Sequence, residues 1–356
     1  MPSLFDPLTI NKLTLPNRFV RSATMDSMAD NGRVSDREIT LYRALGEGDI
    51  GLIVSHGLYP TKEGQCSPGQ LGVSSDDAIP SLTRLVDVVH RGGGRIAAQI
   101  LHGGWMCTTQ VTGLAPVGPS AVVHPGSKAK IRQLSSDEIH QLVGDYANVA
   151  ARVVEAGFDA IQLHGAHSWL LSAFLSPVTN KRDDEWGGSP AKRARIVREI
   201  YRAMRKVTGP DYPVLIKLGI KDYHPEGKPV SEGIEVAKLL QQDGFDAIEL
   251  SEGVEQDFFH HILRDAVAPY YLEECRQARR KLTVPLILVG GMRKLRDMQG
   301  VLDEGIADAV SMCRPFIMNP RLVRDLRDGA SDTVGCTSCN ECMATMREGQ
   351  LRCVRT

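Results

Sequence analysis

The sequence predicts a (β/α)8 barrel, and three observations support this fold class. Apolar, β-rich runs alternate with amphipathic helical stretches eight times along the 356 residues. The runs are almost continuously apolar, which is typical of parallel strands that are buried on both faces. The glycine-rich turn that a doubly wound dinucleotide-binding sheet carries after its first strand is missing, and this argues against the main alternative. A barrel can accommodate this length as one unit with insertions.

The eight predicted strands are short and rich in Val, Ile and Leu. In chain order they cover residues 17–22, 50–55, 95–100, 158–164, 213–217, 246–251, 285–289 and 308–312. The helices that follow them are predicted at 35–48, 81–91, 136–156, 190–207, 231–243, 269–281, 294–304 and 319–327. Ser35 or Asp36 is expected to cap the first helix, and Ser135–Glu138 opens the third. We therefore expect a barrel over residues 1–330 and a cysteine-rich tail over 331–356.

Composition excludes several classes of function. The formal net charge of −1 gives no long-range attraction to nucleic acid or to an anionic membrane. The first ten residues contain neither a basic nor an apolar segment of a secretory signal, and no run of about 18 apolar residues predicts a membrane span. We therefore expect a cytoplasmic protein.

In such barrels the chemistry lies at the C-terminal ends of the strands. The residues at those ends are hydrogen-bonding groups rather than carboxylates: Thr24, Ser55, His56, Gly57, Gln99, His102, His164, His167, Lys217, Ser251, Gly290, Gly291, Cys313 and Arg314. A hydrolase or a metal-dependent lyase more often needs acidic ligands or bases there. The pattern therefore argues against a hydrolase and against a metal-dependent lyase.

Two histidines at the end of the fourth strand are the leading catalytic candidates. His164 and His167 are separated by Gly165 and Ala166, whose small size lets the backbone turn so that both imidazoles face one opening. Two neutral imidazoles can bind an electron-rich planar group, hold a proton or ligate a metal. A zinc site and a purely structural role are the alternatives, and the lack of an adjacent acidic ligand argues against zinc.

The ends of the other strands predict binding of a phosphate and of a polar ring. Gly290 and Gly291 after the seventh strand allow backbone N–H groups to close on a phosphate that Arg314 could also bind. Gln99 is an amide within an apolar strand and needs partners such as a flavin or pyrimidine edge, or else the neighbouring backbone. Lys217 interrupts another apolar strand and needs an electron-rich partner or a salt bridge inside the barrel.

Several motifs resemble those of the old yellow enzyme family of FMN-dependent NAD(P)H oxidoreductases. They are LFDPLTINKLTLPNRFVRSAT, AAQILHGG, QLHGAHSWLLSAFLSPVTNKRDDEWGGS, VLIKLGIKDY, VGGM and MCRPF, and they extend over the whole barrel. The resemblance implies that FMN is bound by Thr24, Gly57, Gln99, Lys217, Gly290, Gly291, Met292, Cys313 and Arg314. Within that set, Thr24 would contact the flavin C4 carbonyl region, Gln99 and Lys217 the pyrimidine ring, and Gly291, Met292 and Arg314 the phosphate.

The same resemblance implies a mechanism. His164 and His167 would hold an electron-withdrawing oxygen of the substrate over the flavin and also receive the nicotinamide. Hydride would pass from reduced FMN to a β-carbon while the two imidazoles stabilise the developing enolate.

The sequence departs from the family at two positions. Many relatives have a tyrosine as proton donor where Trp169 stands here, and an indole is no general acid. The proton must then come from water or another side chain, or the native reaction needs no such donor. Asp26 replaces an aromatic residue of some relatives, and we expect it either to contact a polar or cationic substrate group or to be solvated.

The eight cysteines fall into two groups. Cys66, Cys107, Cys275 and Cys313 are scattered and are interpreted as reduced thiols. The second group is Cys336, Cys339, Cys342 and Cys353. Its spacing fits an iron–sulfur cluster or a structural zinc ion. The motif resembles the cluster-binding segment of the 2,4-dienoyl-CoA reductase and trimethylamine dehydrogenase branch, although the last spacing is shorter than in those enzymes. A 4Fe-4S cluster, zinc and no metal all remain open.

The sequence thus predicts an FMN oxidoreductase that reduces an activated C=C bond of a small molecule with NAD(P)H. An amine or ether dehydrogenase is one alternative, and an electron-transfer subunit that uses FMN, a cluster and a partner protein is another. We also expect a homo-oligomer and no binding to nucleic acid or membrane. The substrate and the choice between NADH and NADPH stay open, because no residue of the sequence can be assigned to them.

Overall fold

The structure is a computed structural model that describes residues 2–255 and 269–356. It begins with an antiparallel hairpin of β1 (Leu8–Ile10) and β2 (Leu13–Leu15). Ile10 and Leu15 pack against inward-facing barrel residues such as Leu52 and Ala97. The hairpin, which the sequence analysis did not predict, therefore closes the floor of the barrel with apolar side chains.

Eight parallel strands form a closed barrel, which confirms the predicted fold class. They are β3 (Phe19–Arg21), β4 (Leu52–Leu58), β5 (Ile96–Ile100), β8 (Ala160–Gly165), β9 (Val214–Tyr223), β10 (Ala247–Glu255), β11 (Leu286–Val289) and β12 (Ala309–Met312). Each strand pairs with the next in this order, and β12 pairs with β3 to close the ring. The two-residue strands β6 (Val117–Gly118) and β7 (Arg132–Gln133) pair within the loop after β5.

Helices surround the barrel. They are α1 (Asp36–Gly46), α2 (Ile79–Arg91), α3 (Thr109–Thr112), α4 (Ser136–Glu155), α5 (Leu170–Leu175), α6 (Pro190–Arg193), α7 (Arg195–Thr208), α8 (Val230–Asp243), α9 (Leu272–Arg279), α10 (Leu295–Asp303), α11 (Arg314–Met318), α12 (Leu322–Arg327) and α13 (Cys342–Arg347). Ser35 and Ser135 form capping boxes with Glu38 and Glu138, so Ser35 rather than Asp36 caps α1.

Strands β9 and β10 are longer than the sequence predicted. The sixth predicted strand ended at Ser251, whereas β10 continues to Glu255 with a register irregularity on each side of Glu252. A β-bulge changes which face the following side chains point to, so it brings this segment over the barrel opening. The remainder of the predicted loop after this strand, residues 256–267, lies outside the described residues.

No helix among the described residues is long and apolar enough to cross a membrane.

Candidate active site

A cavity of about 390 Å³ opens at the C-terminal ends of the barrel strands. Seven of the barrel strands contribute to it, and so do the residues directly after β3 and the C-terminal tail. Its lining contains every residue that the sequence analysis assigned to catalysis or FMN binding: Thr24, Gly57, Gln99, His164, His167, Lys217, Gly290, Gly291, Met292, Cys313 and Arg314. A cavity of this size and position is typical of a ligand site in a barrel enzyme.

The two predicted catalytic histidines lie side by side in this cavity. Their ring centroids are 5.0 Å apart and the ring planes are nearly perpendicular. His167 and Ser168 have left-handed φ angles of 57° and 63°, which are costly for residues other than glycine. The two backbone N–H groups donate to the carbonyls of Glu252 and Gly253 on β10, at 3.0 and 3.1 Å, and hold the turn in place.

Both imidazoles are held in the neutral form. Burial and, to a smaller extent, the Lys217 charge lower the pKa of His167 to about 3. Burial, His167 and Lys217 together bring the pKa of His164 well below its ordinary value. His167 Nε2 lies 2.7 Å from Ser251 Oγ, which helps to fix the ring. A neutral imidazole can donate one hydrogen bond without losing a proton, so this pair is suited to binding a carbonyl or nitro oxygen.

A buried carboxylate, Glu249, lies beneath the cavity. The Lys217 ammonium donates to Ser22 Oγ at 2.6 Å and lies 3.3 Å from Glu249 Oε1. Glu249 also accepts hydrogen bonds from Ser22 and Ser311, at 2.9 and 2.8 Å. The salt bridge that the sequence analysis considered for Lys217 is therefore present. An ammonium group has three N–H donors, so Lys217 can contact a ligand as well.

The same carboxylate links Lys217 to the predicted flavin-binding amide. Gln162 donates from Nε2 to Glu249 Oε2 at 2.9 Å, and its Oε1 accepts from Gln99 Nε2 at 2.7 Å. The side-chain amide of Gln99 is thereby fixed in orientation, with its N–H directed into the barrel. The sequence analysis did not select Glu249 or Gln162, although each is a polar residue inside an apolar strand.

The predicted phosphate end of the cavity has two glycines in the left-handed region, Gly290 and Gly291, with φ of 83° and 74°. A Cβ on Gly290 would lie 2.6 Å from the Tyr270 ring, so a larger residue does not fit. The Gly290 N–H donates to the Ser311 carbonyl at 3.1 Å, which leaves the amides of Gly291 and Met292 as the better phosphate donors. Arg314 lines this end and donates to Tyr270 Oη at 2.8 Å.

Two further predicted flavin contacts are tightly packed. Thr24 Oγ1 lies 3.0 Å from both the Ser22 carbonyl oxygen and Cys313 Sγ. A Cβ on Gly57 would lie 2.6 Å from the Leu101 side chain, so only glycine leaves that wall of the cavity flat.

Some residues that were expected at the barrel opening are elsewhere. His56 is fully buried between Asp26 and Glu38, with Nδ1 3.1 Å from Asp26 Oδ1 and Nε2 3.6 Å from Glu38 Oε1. Asp26 is therefore neither solvated nor free for a substrate, and that expectation was wrong. Ser55 accepts the Gln99 backbone N–H at 3.1 Å and lies behind the cavity wall.

Two carboxyl groups accompany the hydrogen-bonding groups that were predicted at the strand ends. Glu252 and Glu255 line the cavity, and each residue is less than one tenth exposed. They were missed because the predicted strand ended at Ser251, and only the extension and bulge of β10 turn both side chains inward.

The cysteine-rich tail packs against the cavity. Cys336 and Cys342 line it, and Arg293 of the β11 loop donates to Ser338 Oγ at 2.8 Å and to the Cys336 carbonyl. Burial and the neighbouring thiols of Cys313 and Cys336 raise the pKa of Cys342 to about 11, although Arg314 opposes them. Among the described residues, no three cysteine sulfurs lie within 4.8 Å of one another.

The cavity fits FMN by its chemistry. Its lining combines an amide and an ammonium group, a pair of left-handed glycines with an arginine, and a pair of imidazoles. These are the donors that a flavin ring and a phosphate require. The fold and the cavity together define a flavin-dependent barrel oxidoreductase.

Comparison with known proteins places the chain in a family. Residues 3–333 match the NADH:flavin oxidoreductase / NADH oxidase family, and the chain belongs to it. The resemblance to the old yellow enzymes is thus confirmed, and the protein is an NAD(P)H:flavin oxidoreductase that uses FMN.

Individual relatives include proteins of equal and of greater length. A 4,4'-dithiodibutanoate disulfide reductase of Rhodococcus erythropolis is 32% identical over 99% of this chain and 95% of its own. The structure of a morphinone reductase in complex with tetrahydroNAD superposes with a TM-score of 0.81 at 29% identity, over 93% of this chain and 92% of that one. A 2-naphthoyl-CoA reductase gives a TM-score of 0.91 at 27% identity, and there the match covers 98% of this chain but only 56% of that one.

Proposed function

We propose that the protein transfers hydride from NAD(P)H, through FMN, to a C=C bond that is activated by an electron-withdrawing oxygen group. The observation that carries this proposal is the neutral pair His164 and His167 in the cavity. Two neutral donors side by side stabilise an oxyanion as it develops, without protonating it. The names of the morphinone and 2-naphthoyl-CoA reductases support a substrate in which a carbonyl group lies next to unsaturated carbons.

The proposal assigns a role to each part of the cavity. FMN, when bound, supplies the hydride acceptor and donor. Gln99 and Lys217 hold the pyrimidine edge of the ring, and Thr24, Gly57 and Cys313 form the wall around it. Gly290 shapes the turn in which Gly291, Met292 and Arg314 hold the phosphate. His164 and His167 orient the substrate oxygen, and a substrate stacked on the ring excludes water from the reacting carbons.

We also propose a separate role for residues 331–356. Cys336, Cys339, Cys342 and Cys353 would ligate a 4Fe-4S cluster, because their spacing fits cluster ligation by four thiolates and resembles the cluster-binding segment of the 2,4-dienoyl-CoA reductase branch. The match covers 56% of the naphthoyl-CoA reductase chain. An electron-transfer partner protein for the cluster is also part of this proposal. The eight free thiols support a reducing, cytoplasmic location, and a homo-oligomer stays a prediction.

The visible spectrum of protein purified without oxygen tests the proposed function. We expect flavin absorbance that bleaches on addition of NADH or NADPH and returns on addition of 2-cyclohexenone under anaerobic conditions. Bleaching followed by reoxidation with a disulfide but not with the alkene would replace the proposal with disulfide reduction, the activity named for the Rhodococcus relative. Flavin that no pyridine nucleotide reduces would also overturn it.

A further inference from the structure

Reduction of an activated alkene needs a proton as well as a hydride. The hydride adds to the β-carbon, and the α-carbon must then be protonated. Trp169 lines the cavity, and its indole N–H is too weak an acid for this step. His164 and His167 are neutral and would have to lose an imidazole N–H. Another group in the cavity must therefore supply the proton, or water must.

Two carboxyl groups of β10, those of Glu252 and Glu255, lie in the same cavity. Residues three apart on a regular strand point to opposite faces, yet Glu252 and Glu255 both line the cavity. The register irregularities between Ser251 and Glu252 and between Glu252 and Glu255 explain how both side chains point inward. The two residues are 8% and 7% exposed, so water solvates neither carboxyl group well.

Glu252 is held in its protonated form at neutral pH. Burial raises the pKa of Glu252 to about 9, and a hydrogen bond and charge repulsion from Glu255 act in the same direction. Two buried carboxyl groups in contact cannot both ionise at neutral pH. Tyr271 Oη donates to Glu252 Oε2 at 2.8 Å, which leaves the proton of the neutral carboxyl group on Oε1.

Among residues 2–255 and 269–356, other titratable groups that interact with Glu252 lie on β9 and just before α9. Tyr271 precedes α9, while Lys217 and Tyr223 belong to β9. The Lys217 charge favours ionisation of Glu252 but does not outweigh the effects of burial and of Glu255.

Hydrogen bonds fix the position of Glu252 relative to His164 and His167. The Glu252 carbonyl accepts the His167 backbone N–H at 3.0 Å. Ser251, the preceding residue, lies 2.7 Å from His167 Nε2 and also hydrogen-bonds Tyr271. A substrate oxygen held by the two imidazoles therefore has a defined position relative to the carboxyl pair.

We propose that Glu252, which lines the cavity together with Glu255, is the general acid that protonates the α-carbon in place of the missing tyrosine. This inference rests on the proposed alkene reduction. The hydride electron pair forms the new bond at the β-carbon, and the π electrons of the C=C bond move towards the substrate oxygen held by His164 and His167. That electron pair then takes the Glu252 proton to form the second C–H bond. Glu252 is left as a carboxylate beside Tyr271 and Lys217, and it regains a proton from solvent.

The test separates the two half-reactions in a stopped-flow instrument. Pre-reduced wild type, Glu252→Gln and Glu273→Gln are mixed with 2-cyclohexenone between pH 6 and pH 10. We expect the reoxidation rate of Glu252→Gln to fall at least about 100-fold, which is the usual contribution of a general acid. Its reduction by NAD(P)H and its FMN content should match the wild type. Glu273, exposed on α9, serves as the matched control, and its replacement should change neither half-reaction.

The pH dependence of the wild-type reoxidation rate is a second test, and it needs no variant. Since the donor must be protonated, the wild-type reoxidation rate should fall as the pH rises through about 9, the raised pKa of Glu252. The Glu252→Gln rate should lack this decline, and Glu255→Gln should shift it to lower pH because the carboxyl–carboxylate repulsion is gone.

Failure of this inference and failure of the proposed function give different results. If reduced wild type is not reoxidised by the alkene at all, the proposed function fails. If wild type is reoxidised at a rate that stays flat to pH 10, or if Glu252→Gln is reoxidised as fast as wild type, the reduction stands and Glu252 is not its acid.

Discussion

Lys217 and Glu249 show how one buried residue adjusts the chemistry of another. The ammonium at the cavity is balanced by a fully buried carboxylate 3.3 Å away, so the net charge beneath the flavin site is close to zero. A cation near the pyrimidine ring favours the reduced, anionic flavin. By offsetting the Lys217 charge, Glu249 should therefore keep the flavin potential lower than the lysine alone would.

Replacement of Glu249 tests whether its charge offsets that of Lys217. In Glu249→Gln the amide can still accept from Ser22 and Ser311, but the charge of Lys217 is no longer offset. We expect the two-electron midpoint potential of bound FMN to rise by about 30 mV or more, equivalent to about 1.4 kcal/mol. Spectroelectrochemical titration measures the potential, with exposed Glu235→Gln as the control. An unchanged potential would show that Lys217 does not act on the flavin.

Trp169 offers a second experiment on proton supply. Trp169 lines the cavity, and its ring centroid is 6.4 Å from that of His164. Trp169→Tyr introduces a phenol whose ordinary pKa is near 10, so it can still donate a proton after Glu252 has lost its own. We expect faster reoxidation by activated alkenes, most clearly above pH 9 and in the Glu252→Gln background. An oxidative half-reaction that is unchanged or slower in both backgrounds would contradict this.

At the scale of elements, α1 is joined to the barrel by a buried cluster behind the cavity. Glu38 completes the capping box at the start of α1, where its Oε2 accepts the Ser35 N–H at 2.8 Å. Its other oxygen lies 3.6 Å from His56 of β4, whose opposite nitrogen faces Asp26. Tyr42 of α1 accepts the His56 backbone N–H at 2.9 Å, and Arg21 lies over the Tyr42 ring. One buried cluster of charged residues therefore holds the N-terminus of α1 against the C-terminal part of β4.

This cluster predicts a pH-dependent stability. Burial and the Asp26 charge raise the pKa of Glu38 from 4.5 to about 7, although His56 opposes the shift. A raised pKa in the folded state means that the stability from protonated Glu38 is fully present below pH 4.5 and is lost as the pH rises through about 7. In Glu38→Gln the side chain is uncharged at every pH and has nearly the same shape as protonated Glu38. The free energy of unfolding of Glu38→Gln, taken relative to that of wild type, should therefore be about 1–3 kcal/mol larger at pH 8.5 than at pH 5.

Denaturant unfolding at the two pH values measures this difference. Glu47→Gln, an exposed change at the end of the same helix, is the control and should follow the wild type. A Glu38→Gln variant that loses stability relative to wild type as the pH rises would contradict the prediction, since it would show that the ionised carboxylate stabilises the fold.

On the scale of the whole molecule, the C-terminal tail completes the cavity that the barrel opens. Arg314 donates to Asn340 Oδ1 as well as to Tyr270, and Arg293 contacts Cys336 and Ser338. Through these contacts residues 331–356 orient the arginine that is predicted to hold the phosphate. A metal bound by the tail, as proposed, would therefore act on the proposed phosphate site through Arg314.

Elemental analysis of anaerobically purified protein tests the cluster. We expect about four iron and four sulfide per chain, with little zinc. Cys339→Ser should lose most of the iron, because a thiolate ligand is removed, and its broad visible absorbance should fall with it. Cys66→Ser, which changes a half-buried thiol outside the tail, should keep the full content. Full iron in Cys339→Ser would refute that ligand, and stoichiometric zinc without iron would refute the cluster.

Local patterns in the sequence were sufficient for the barrel and for much of the cavity lining. Apolar strands alternating with amphipathic helices fix the architecture, because each strand must bury both faces and each helix one. Since parallel strands all end at one rim, the residues at those ends were bound to come together. His164, His167, Gln99, Lys217, Gly291 and Arg314 could thus be assigned to one cavity before any contact was known.

Only the tertiary structure determines which side chains surround these cavity residues. Glu249 balances Lys217 across two strands that are separate in sequence, and His56 turns away from the cavity to meet Asp26 and Glu38. Glu252 and Glu255 enter the cavity through an irregular strand extension that no periodicity predicts. Burial and charge pairing depend on contacts between distant segments, so protonation states and the identity of an acid are fixed only when the chain has folded.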